Sequence, residues 1–444
     1  MTRTATEPGA AEQPPPVARL VPVPPRLYVP LAGRAGGAPP TIKPMWTAVR
    51  RGDPLTEAPP ENFATPLAPA DGNIVAVETV TLLDGRQVPA VVLETREPGP
   101  PDPNEPLNAG TAAALPTADL FGEIGHAERG AWIEALRRAG VWADRWTSPD
   151  LLGQLHHSLR RPIDTVLCSV LDPDRALPLQ SQVTDTSGAE LAAGVDLVAK
   201  AAGANRAWVL VDEASPEAFR EGLRQSVEKV GARLVALRND YPQANPTLLL
   251  HAVVGRRLPP GHLPTETGTL VLDAAAAVAV GRYVQSREPM TTVPLAVADT
   301  RLGRGHFVGA AVGTPVSDLL THLGLVAESS TIYGGPPPRD IKVPASAVVS
   351  GTELLVYAAE PTVGANPDPC IRCGWCVEGC PVHIHPAVLL EAVQADDMDL
   401  ADEAGLHACI DCGVCSYICP ARLPLLGGIR ALRQRWTEYV TSGR

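Results

Sequence analysis

Two closely similar cysteine runs near the end of the chain constrain its fold more than any other feature. The first reads PCIRCGWCVEGCP and the second reads ACIDCGVCSYICP, and each has the spacing Cys-x2-Cys-x2-Cys-x3-Cys-Pro. Three cysteines at this spacing wrap a tight loop around one corner of an iron–sulfur cubane, while the fourth begins a helix and serves the other cluster. The runs therefore predict two [4Fe-4S] clusters with crossed ligation.

The crossover rule divides the eight cysteines into two sets. The set expected to hold cluster 1 is Cys370, Cys373, Cys376 and Cys419. The set expected to hold cluster 2 is Cys380, Cys409, Cys412 and Cys415. We expect Trp375 to shield cluster 1, and we expect the carboxylate of Asp411 to lower the reduction potential of cluster 2 relative to cluster 1. No catalytic residue and no residue for another cofactor is predicted.

Zinc and disulfides are the competing explanations for these cysteines. Zinc ribbons usually present two separated CxxC pairs, whereas each run here is a triple CxxCxxC followed by Cys-Pro. Disulfides need an oxidising compartment and a small cysteine-dense scaffold, which a chain of 444 residues with nine cysteines does not offer. The ninth cysteine, Cys168, lies in the apolar run TVLCSVL and is predicted to be a buried small residue rather than a nucleophile. Oxygen-sensitive ligation indicates a reducing cytoplasm, and the doubled arrangement favours electron transfer over a purely structural role.

Length and charge exclude several classes of protein. A chain of 444 residues is long enough for two to four domains. Its net charge of −12 argues against binding to nucleic acid. The sequence has neither the apolar core of a signal peptide nor about 18 uninterrupted apolar residues for a membrane span, so any membrane association is expected to come from a partner.

The pattern along the chain predicts a multidomain α/β and α+β protein. The short β-prone runs separated by Gly, Pro and Asp-Gly turns indicate β modules, and the βα alternation in the middle indicates a three-layer α/β domain. No GxGxxG opens a helix there, so a Rossmann dinucleotide site has no motif to support it. The predicted units are a disordered Pro-rich lead (1–26), a β barrel-sandwich module (27–95), a linker (96–125), the α/β domain (126–288), a β-grasp domain (289–360) and a two-cluster ferredoxin-like α-helical module (361–444).

The chain from about Leu27 onward resembles the RnfC family, a component of the Rnf complex, which is the membrane-bound, ion-translocating oxidoreductase that couples ferredoxin to NAD. The resemblance rests on the domain order and on PCIRCGWCVEGCP, CIDCGVCSYICPARLPL, the YGGP turn at Tyr333, VPLAGRAGGAPP with RRGDPL, NDYPQANP and GRRLPPGHLPTETG. It implies that the α/β domain is like the NADH-binding flavoprotein subunit of complex I and that the β-grasp domain is of the soluble-ligand-binding type.

The resemblance also implies a function. The chain would be an electron-transfer subunit that relays single electrons through two [4Fe-4S] clusters. Its partners would be a soluble ferredoxin-like or flavin carrier on one side and integral membrane subunits on the other. It would lie peripherally on the cytoplasmic face of the cell membrane, as part of an oxidoreductase and translocase complex.

The flavin site of that family is not recognisable in this sequence. Where the family carries a glycine loop of the type GLGGAGFPT, residues 139–150 read AGVWADRWTSPD, and where it has NGAECEPY, residues 168–179 read CSVLDPDRALPL. A phosphate cradle needs backbone N–H groups that approach closely, which glycine permits. Asp144 and Asp150 would add negative charge where a phosphate should lie. The sequence therefore argues against FMN, NAD and NADH dehydrogenase activity in this chain, and it predicts that the α/β domain is a scaffold.

Two other functions remain open at this point. The chain is alternatively an NADH-oxidising iron–sulfur flavoprotein whose flavin site has diverged, in which case flavin should be extractable. It is alternatively a soluble ferredoxin-like adaptor that resembles the cobalamin reductases of bacterial microcompartments. Domain order is weak evidence of function, and co-purification with membrane subunits would separate the adaptor from the relay.

Overall fold

The computed structural model describes residues 19–31, 40–58, 64–96, 125–325, 331–359 and 366–441. Residues 97–124 of the linker predicted at 96–125 and residues 1–18 of the lead predicted at 1–26 lie outside these residues. The described end of the lead departs from the predicted disorder, because β1 (Arg19–Leu20) pairs in parallel with Val308 and Gly309. A sheet edge exposes unpaired backbone groups, and a short segment of almost any composition can satisfy them.

The first sheet is antiparallel and belongs to the segment predicted as a β module. Its strand order is β2-β5-β4-β3, and β4 and β5 form a long hairpin with a register shift between Ile74 and Ala76. Gly72 and Ile74 of β4 are buried, and the four consecutive residues from Ala90 to Leu93 in β5 are all buried. The strands are β2 (Arg26–Pro30), β3 (Ala48–Val49), β4 (Gly72–Thr81) and β5 (Gln87–Thr95).

The second sheet is parallel and is flanked by helices, as the βα alternation predicted. Its order is β8-β7-β6-β9, and every residue of β6 and of β9 is buried. Helices α2 and α3 were not predicted. The elements are α1 (His126–Arg138), α2 (Leu151–Ser158), β6 (Thr165–Ser169), α3 (Leu179–Thr186), α4 (Gly188–Ala202), β7 (Arg206–Asp212), α5 (Glu217–Glu228), β8 (Arg233–Leu237), α6 (Pro246–Leu249), β9 (Thr269–Asp273) and α7 (Ala274–Ser286).

The sequence pattern predicts one last element of the α/β domain in LVLDAAAAVAVGRYVQ. In the structure this segment divides at Asp273 into β9 and α7. The carboxylate of Asp273 accepts a hydrogen bond from the backbone N–H of Ala276 and so caps the helix. Helix α7 packs closely against α4. A Cβ atom added at Gly194 of α4 would lie only 1.9 Å from the carbonyl oxygen of Ala277 in α7, so this contact needs glycine. The cap fixes where the backbone turns from strand to helix.

The third sheet is mixed and has the order β1-β11-β10-β14-β12-β13. Strand β10 runs antiparallel to β11 and parallel to β14, and one helix, α8, follows β11. Its apolar residues share one core with the α/β domain. The elements are β10 (Thr292–Asp299), β11 (Arg304–Ala311), α8 (Val316–His322), β12 (Thr331–Gly334), β13 (Ile341–Val343) and β14 (Leu355–Ala359).

The last module is helical and has its own small core around Leu389, Leu406 and Ile429. Two of its helices join the cysteine runs and a longer helix closes the module. No helix in the described part of the chain is long and apolar enough to cross a membrane. The helices are α9 (Trp375–Glu378), α10 (Pro386–Ala395), α11 (Met398–Glu403), α12 (Val414–Tyr417) and α13 (Leu425–Thr441).

Candidate iron–sulfur site

The two cysteine loops repeat the same backbone conformation 39 positions apart. Arg372 and its counterpart Asp411 have φ of 54° and 58°, and Gly374 and its counterpart Gly413 have φ of 83° and 75°. A left-handed conformation is unfavourable for a residue with a side chain, so its occurrence at Arg372 and Asp411 reflects a demand of the loop rather than a preference of the residue. Both loops therefore curl in the same way around the space that their cysteines face.

The first set of cysteines lines a single cavity of about 350 Å³. Its four members are Cys370, Cys373, Cys376 and Cys419. Cys370 and Cys373 are exposed, so this site opens to solvent. Trp375 is 54% exposed and is not among the residues that line the cavity, so the predicted shielding of cluster 1 by this side chain is not supported. Four thiols around one open cavity are a donor set that fits a cubane.

The second set is more deeply placed. Cys380, Cys412 and Cys415 are buried and Cys409 is half-buried. Burial, followed by the proximity of the other thiols, raises the pKa of Cys415 to about 12, and burial likewise raises the pKa of Cys412 to about 11. Deprotonating these four neighbouring thiols, three of them buried, requires a compensating positive charge, which an iron centre supplies. This donor set also fits a cluster.

The structure thus brings the predicted ligands together in two groups. Cys376 interacts electrostatically with Cys373 and Cys419, whereas Cys380 interacts with the three cysteines of the second loop. Among the described residues, no three His, Cys, Asp or Glu side chains are grouped for a single metal ion. A cubane takes one thiolate on each iron, so its ligands are spread more widely. The grouping follows the crossover rule, and the ligation itself remains a prediction.

Two aromatic residues of the α/β domain contact the second cysteine loop. The indole N–H of Trp146 donates to the carbonyl oxygen of Ile410 at 2.7 Å, and the hydroxyl of Tyr241 donates to the carbonyl oxygen of Cys412 at 2.5 Å. The two rings are stacked with centroids 5.8 Å apart. Sequence reasoning missed both residues, because nothing local marks an aromatic side chain whose partner lies more than 170 residues away.

Arginines surround the same loop. The Arg430 guanidinium is 2.7 Å from the Asp411 carboxylate, and the Arg339 guanidinium is 3.9 Å from it. Arg433 donates to the carbonyl oxygen of Cys409. The prediction that Asp411 lowers the potential of cluster 2 assumed an unbalanced negative charge, and the paired arginines remove that premise. The spacing of Arg430 and Arg433 on one helix was the only sequence signal for this arrangement.

A buried ion pair occupies the switch point of the parallel sheet. Strands β7 and β9 flank β6 on opposite sides, and ligands of open α/β sheets bind outside the carboxyl ends of the strands at such a point. Here Asp273, at the end of β9, accepts two hydrogen bonds from the Arg145 guanidinium at 2.5 and 2.7 Å. Thr147 donates a third at 2.7 Å. Residues 139–150, where the sequence lacks a phosphate cradle, therefore fill the crevice with the side chains of Arg145 and Thr147.

The N-terminus of α3 is also occupied by a side chain of the protein. The carboxylate of Asp172 accepts hydrogen bonds from the backbone N–H groups of Gln180 and Ser181, at the start of α3. Burial raises the pKa of Asp172 to about 7, although these hydrogen bonds oppose the rise. The adjoining cavity, lined by Arg145, Trp146 and Asp172 among others, has a volume of about 40 Å³, whereas ligand pockets span roughly 300–1,000 Å³. These residues do not fit FMN.

The two other acidic residues considered in the sequence have structural contacts. Asp150 caps α2 by accepting a hydrogen bond from the N–H of Gly153 at 3.1 Å, and the buried carboxylate of Asp144 lies 3.7 Å from the Arg86 guanidinium. Cys168 is fully buried in β6, where burial followed by the nearby Asp273 charge raises the pKa of its thiol. Its burial agrees with the predicted structural role.

Two family models match parts of the chain. The family described as the Nuo51 FMN-binding domain matches residues 155–282, and the 4Fe-4S dicluster domain matches residues 362–420. The second match confirms the prediction of [4Fe-4S] clusters. The fold and the cysteine sites define an iron–sulfur protein with a dicluster ferredoxin-like module and an α/β domain of the complex I flavoprotein type.

Matches to whole proteins are more specific. The C subunit of an ion-translocating oxidoreductase complex from Rhodobacter capsulatus is 29% identical over 258 residues, which cover 56% of this chain and 49% of that protein. The C subunit of a proton-translocating ferredoxin:NAD(+) oxidoreductase complex from Clostridium ljungdahlii is 22% identical over 85% of this chain and 80% of that protein. The chain is thus similar to the C subunits of these complexes, as the sequence resemblance indicated, and it spans about half the length of the Rhodobacter protein.

Among solved structures, an NAD+-reducing [NiFe]-hydrogenase in the air-oxidized state aligns with a TM-score of 0.49 and 14% identity, over 70% of this chain and 64% of that chain. A likeness at this level supports no argument about function.

Proposed function

We propose that the chain is an electron-relay subunit of an Rnf-type ion-translocating oxidoreductase complex. Each [4Fe-4S] cluster takes up and gives up one electron at a time. Cys370, Cys373, Cys376 and Cys419 hold cluster 1, and Cys380, Cys409, Cys412 and Cys415 hold cluster 2. The α/β domain acts as a scaffold for the second cysteine loop.

The observation that carries the proposal is the unequal placement of the two cysteine sets. The first set opens to solvent, whereas the second is buried and bonded to the α/β domain through Trp146 and Tyr241. An exposed centre suits exchange with a partner, and a buried centre suits transfer within the assembly. A chain with one open and one enclosed centre has the arrangement that a relay needs.

The partners, location and finer domain layout are part of the proposal. The relay connects a soluble ferredoxin-like or flavin carrier with integral membrane subunits, and the chain lies peripherally on the cytoplasmic side of the membrane. The three sheets correspond to a barrel-sandwich module, a flavoprotein-like domain and a β-grasp domain. The names of the Rhodobacter and Clostridium relatives support the assignment to a complex, and the module order supports the layout.

The first experiment is anaerobic purification followed by addition of NADH, with dithionite as the reference reductant. The visible absorption of the clusters is followed after each addition. We expect dithionite to bleach the absorption and NADH to leave it unchanged, because the crevice that would bind flavin is filled by Arg145 and Asp273. Co-purification with membrane subunits should accompany this result, and an isolated soluble chain would favour an adaptor instead.

A second candidate is an NADH-oxidising flavoprotein, which the match to the FMN-binding domain over residues 155–282 favours. Rapid bleaching by NADH together with extractable flavin would establish this candidate and refute the flavin-free relay. Bleaching by dithionite alone, with no flavin in the extract, would refute the flavoprotein.

Crossed ligation has its own test. Cys380→Ser and Cys419→Ser each remove the fourth cysteine of one run. Under the crossover rule, Cys380→Ser should perturb the same EPR signal as Cys409→Ser, and Cys419→Ser the same signal as Cys370→Ser. The opposite grouping would show that each run holds its own cluster.

A further inference from the structure

The second cysteine loop has three backbone carbonyl groups that accept hydrogen bonds from side chains outside the loop. The carbonyl of Cys409 accepts from Arg433, that of Ile410 from Trp146, and that of Cys412 from Tyr241. Two of these donors belong to the α/β domain and one to α13. Three of the peptide groups in the loop are therefore fixed in orientation by distant parts of the chain.

Fixing a carbonyl also fixes the N–H group of the same peptide. A trans peptide is planar, and its C=O and N–H bonds point in opposite directions. The peptide whose carbonyl faces Trp146 has the N–H of Asp411, and this N–H donates to the sulfur of Cys409 at 3.4 Å. The carbonyl that Tyr241 holds shares its peptide with the N–H of Gly413, and the thiol of Cys412 accepts from the N–H of the next peptide, that of Val414. The carbonyls point towards the scaffold while N–H groups of the loop point towards the cysteine sulfurs.

The first loop has the same backbone fold without these anchors. In the part of the chain that the structure describes, no side chain donates to the carbonyl groups of Cys370, Ile371 or Cys373. Ile371 is 66% exposed. A side chain added at Gly374 would meet nothing within 4 Å, whereas one at Gly413 would lie 2.3 Å from the carbonyl oxygen of Pro338. The two loops have the same cysteine spacing, but only the second is held by side chains from other parts of the chain.

We infer that Trp146 and Tyr241 are positioning residues that raise the reduction potential of cluster 2. Reduction adds one electron and one negative charge to a cluster, and it forms or breaks no bond. N–H groups aimed at the ligand sulfurs stabilise that additional charge, and hydrogen bonds to sulfur are among the factors that set cluster potentials. Trp146 and Tyr241 act through the loop backbone, because each holds a carbonyl on the side away from the sulfurs. This inference rests on the proposed function only in requiring a cluster in the second set of cysteines.

The test compares aromatic variants that remove one donor each. Trp146→Phe removes the indole N–H and keeps an aromatic ring, and Tyr241→Phe removes only the hydroxyl. Tyr283→Phe is the matched control, because the hydroxyl of the largely buried Tyr283 has no hydrogen-bond partner among the described residues. The anaerobically purified full chain is first assayed for iron and then titrated with dithionite at controlled potential, with EPR detection of both clusters. Cys370→Ser and Cys409→Ser assign the two signals.

We expect Trp146→Phe and Tyr241→Phe each to lower the ratio of reduced to oxidised cluster 2 about threefold at fixed potential. This corresponds to a midpoint roughly 30 mV more negative, since tenfold is 59 mV for a one-electron couple. Cluster 1 and the Tyr283→Phe variant should titrate as the unmodified chain does. Unchanged midpoints with full iron content, or equal shifts of both clusters, would overturn the inference and leave the relay intact. If the unmodified chain contained iron for one cluster only, both this inference and the proposed relay function would be overturned.

Discussion

Replacing Arg145 by methionine should destabilise the protein strongly, because it leaves the Asp273 carboxylate buried without its cation. The side chains of Arg145 and Asp273 are only 4% and 1% exposed. Removing one partner of such a buried pair costs about 3–5 kcal/mol. Hydrogen bonds to Asp273 from Thr147 and from the N–H of Ala276 remain in the variant, so we expect the lower end of that range, about 3 kcal/mol.

The assay is urea unfolding of the full chain, followed by far-ultraviolet circular dichroism and tryptophan fluorescence. With a slope of about 3 kcal/mol per molar urea, a loss of about 3 kcal/mol moves the unfolding midpoint by about 1 M. Arg435→Met is the matched control, because Arg435 pairs with Asp396 on the surface, where both side chains are well exposed. That control should cost less than about 1 kcal/mol.

A double variant tests whether the loss comes from the unpaired charge. Asp273→Asn keeps the helix cap and removes the charge, so Arg145→Met with Asp273→Asn should recover at least half of the stability lost in Arg145→Met alone. Burial alone would raise the pKa of Asp273, but the Arg145 charge and hydrogen bonds lower it. Its stabilising contribution should therefore be present above the unfolded pKa of about 3.9 and be lost as the pH falls below it. A loss under about 1 kcal/mol in Arg145→Met, or no recovery in the double variant, would refute this reasoning.

Three further predictions concern single sites. Because the folded pKa of Asp172 is raised to about 7, its carboxyl should lower the free energy of unfolding as the pH rises from about 4 to about 7, and Asp172→Asn should remove this dependence in urea titrations at several pH values. Gly413→Ala should lower unfolding stability and resistance to proteolysis more than Gly374→Ala, since both glycines have positive φ but only Gly413 lies against Pro338; equal losses would contradict the clamp. Cys168→Ala should keep the full iron content, and Cys168 should resist alkylation in the native chain, whereas loss of iron would make it a ligand.

Prediction from the sequence succeeded where the chemistry is local. The cysteine spacing and the tight loop that each run forms depend on residues within about a dozen positions of one another. The βα alternation was predictable for the same reason, because the spacing of apolar residues within a segment indicates whether it forms a strand or a helix. Prediction was less successful at 274–286, where an alanine-rich helix and the strand before it formed one apolar run that only the cap at Asp273 divides.

The sequence by itself determined that the chain carries two cysteine sets of equal spacing and that its middle domain lacks a glycine cradle. Only the tertiary structure decided that the first set opens to solvent whereas the second is largely buried. Burial of the second loop depends on Trp146, Tyr241 and Arg339, which lie far from it in the chain. The charge of Asp411 in that loop is balanced by Arg430 on α13. Electrostatic strength depends on exposure and on partners brought together by folding, and neither quantity is contained in the spacing of a motif.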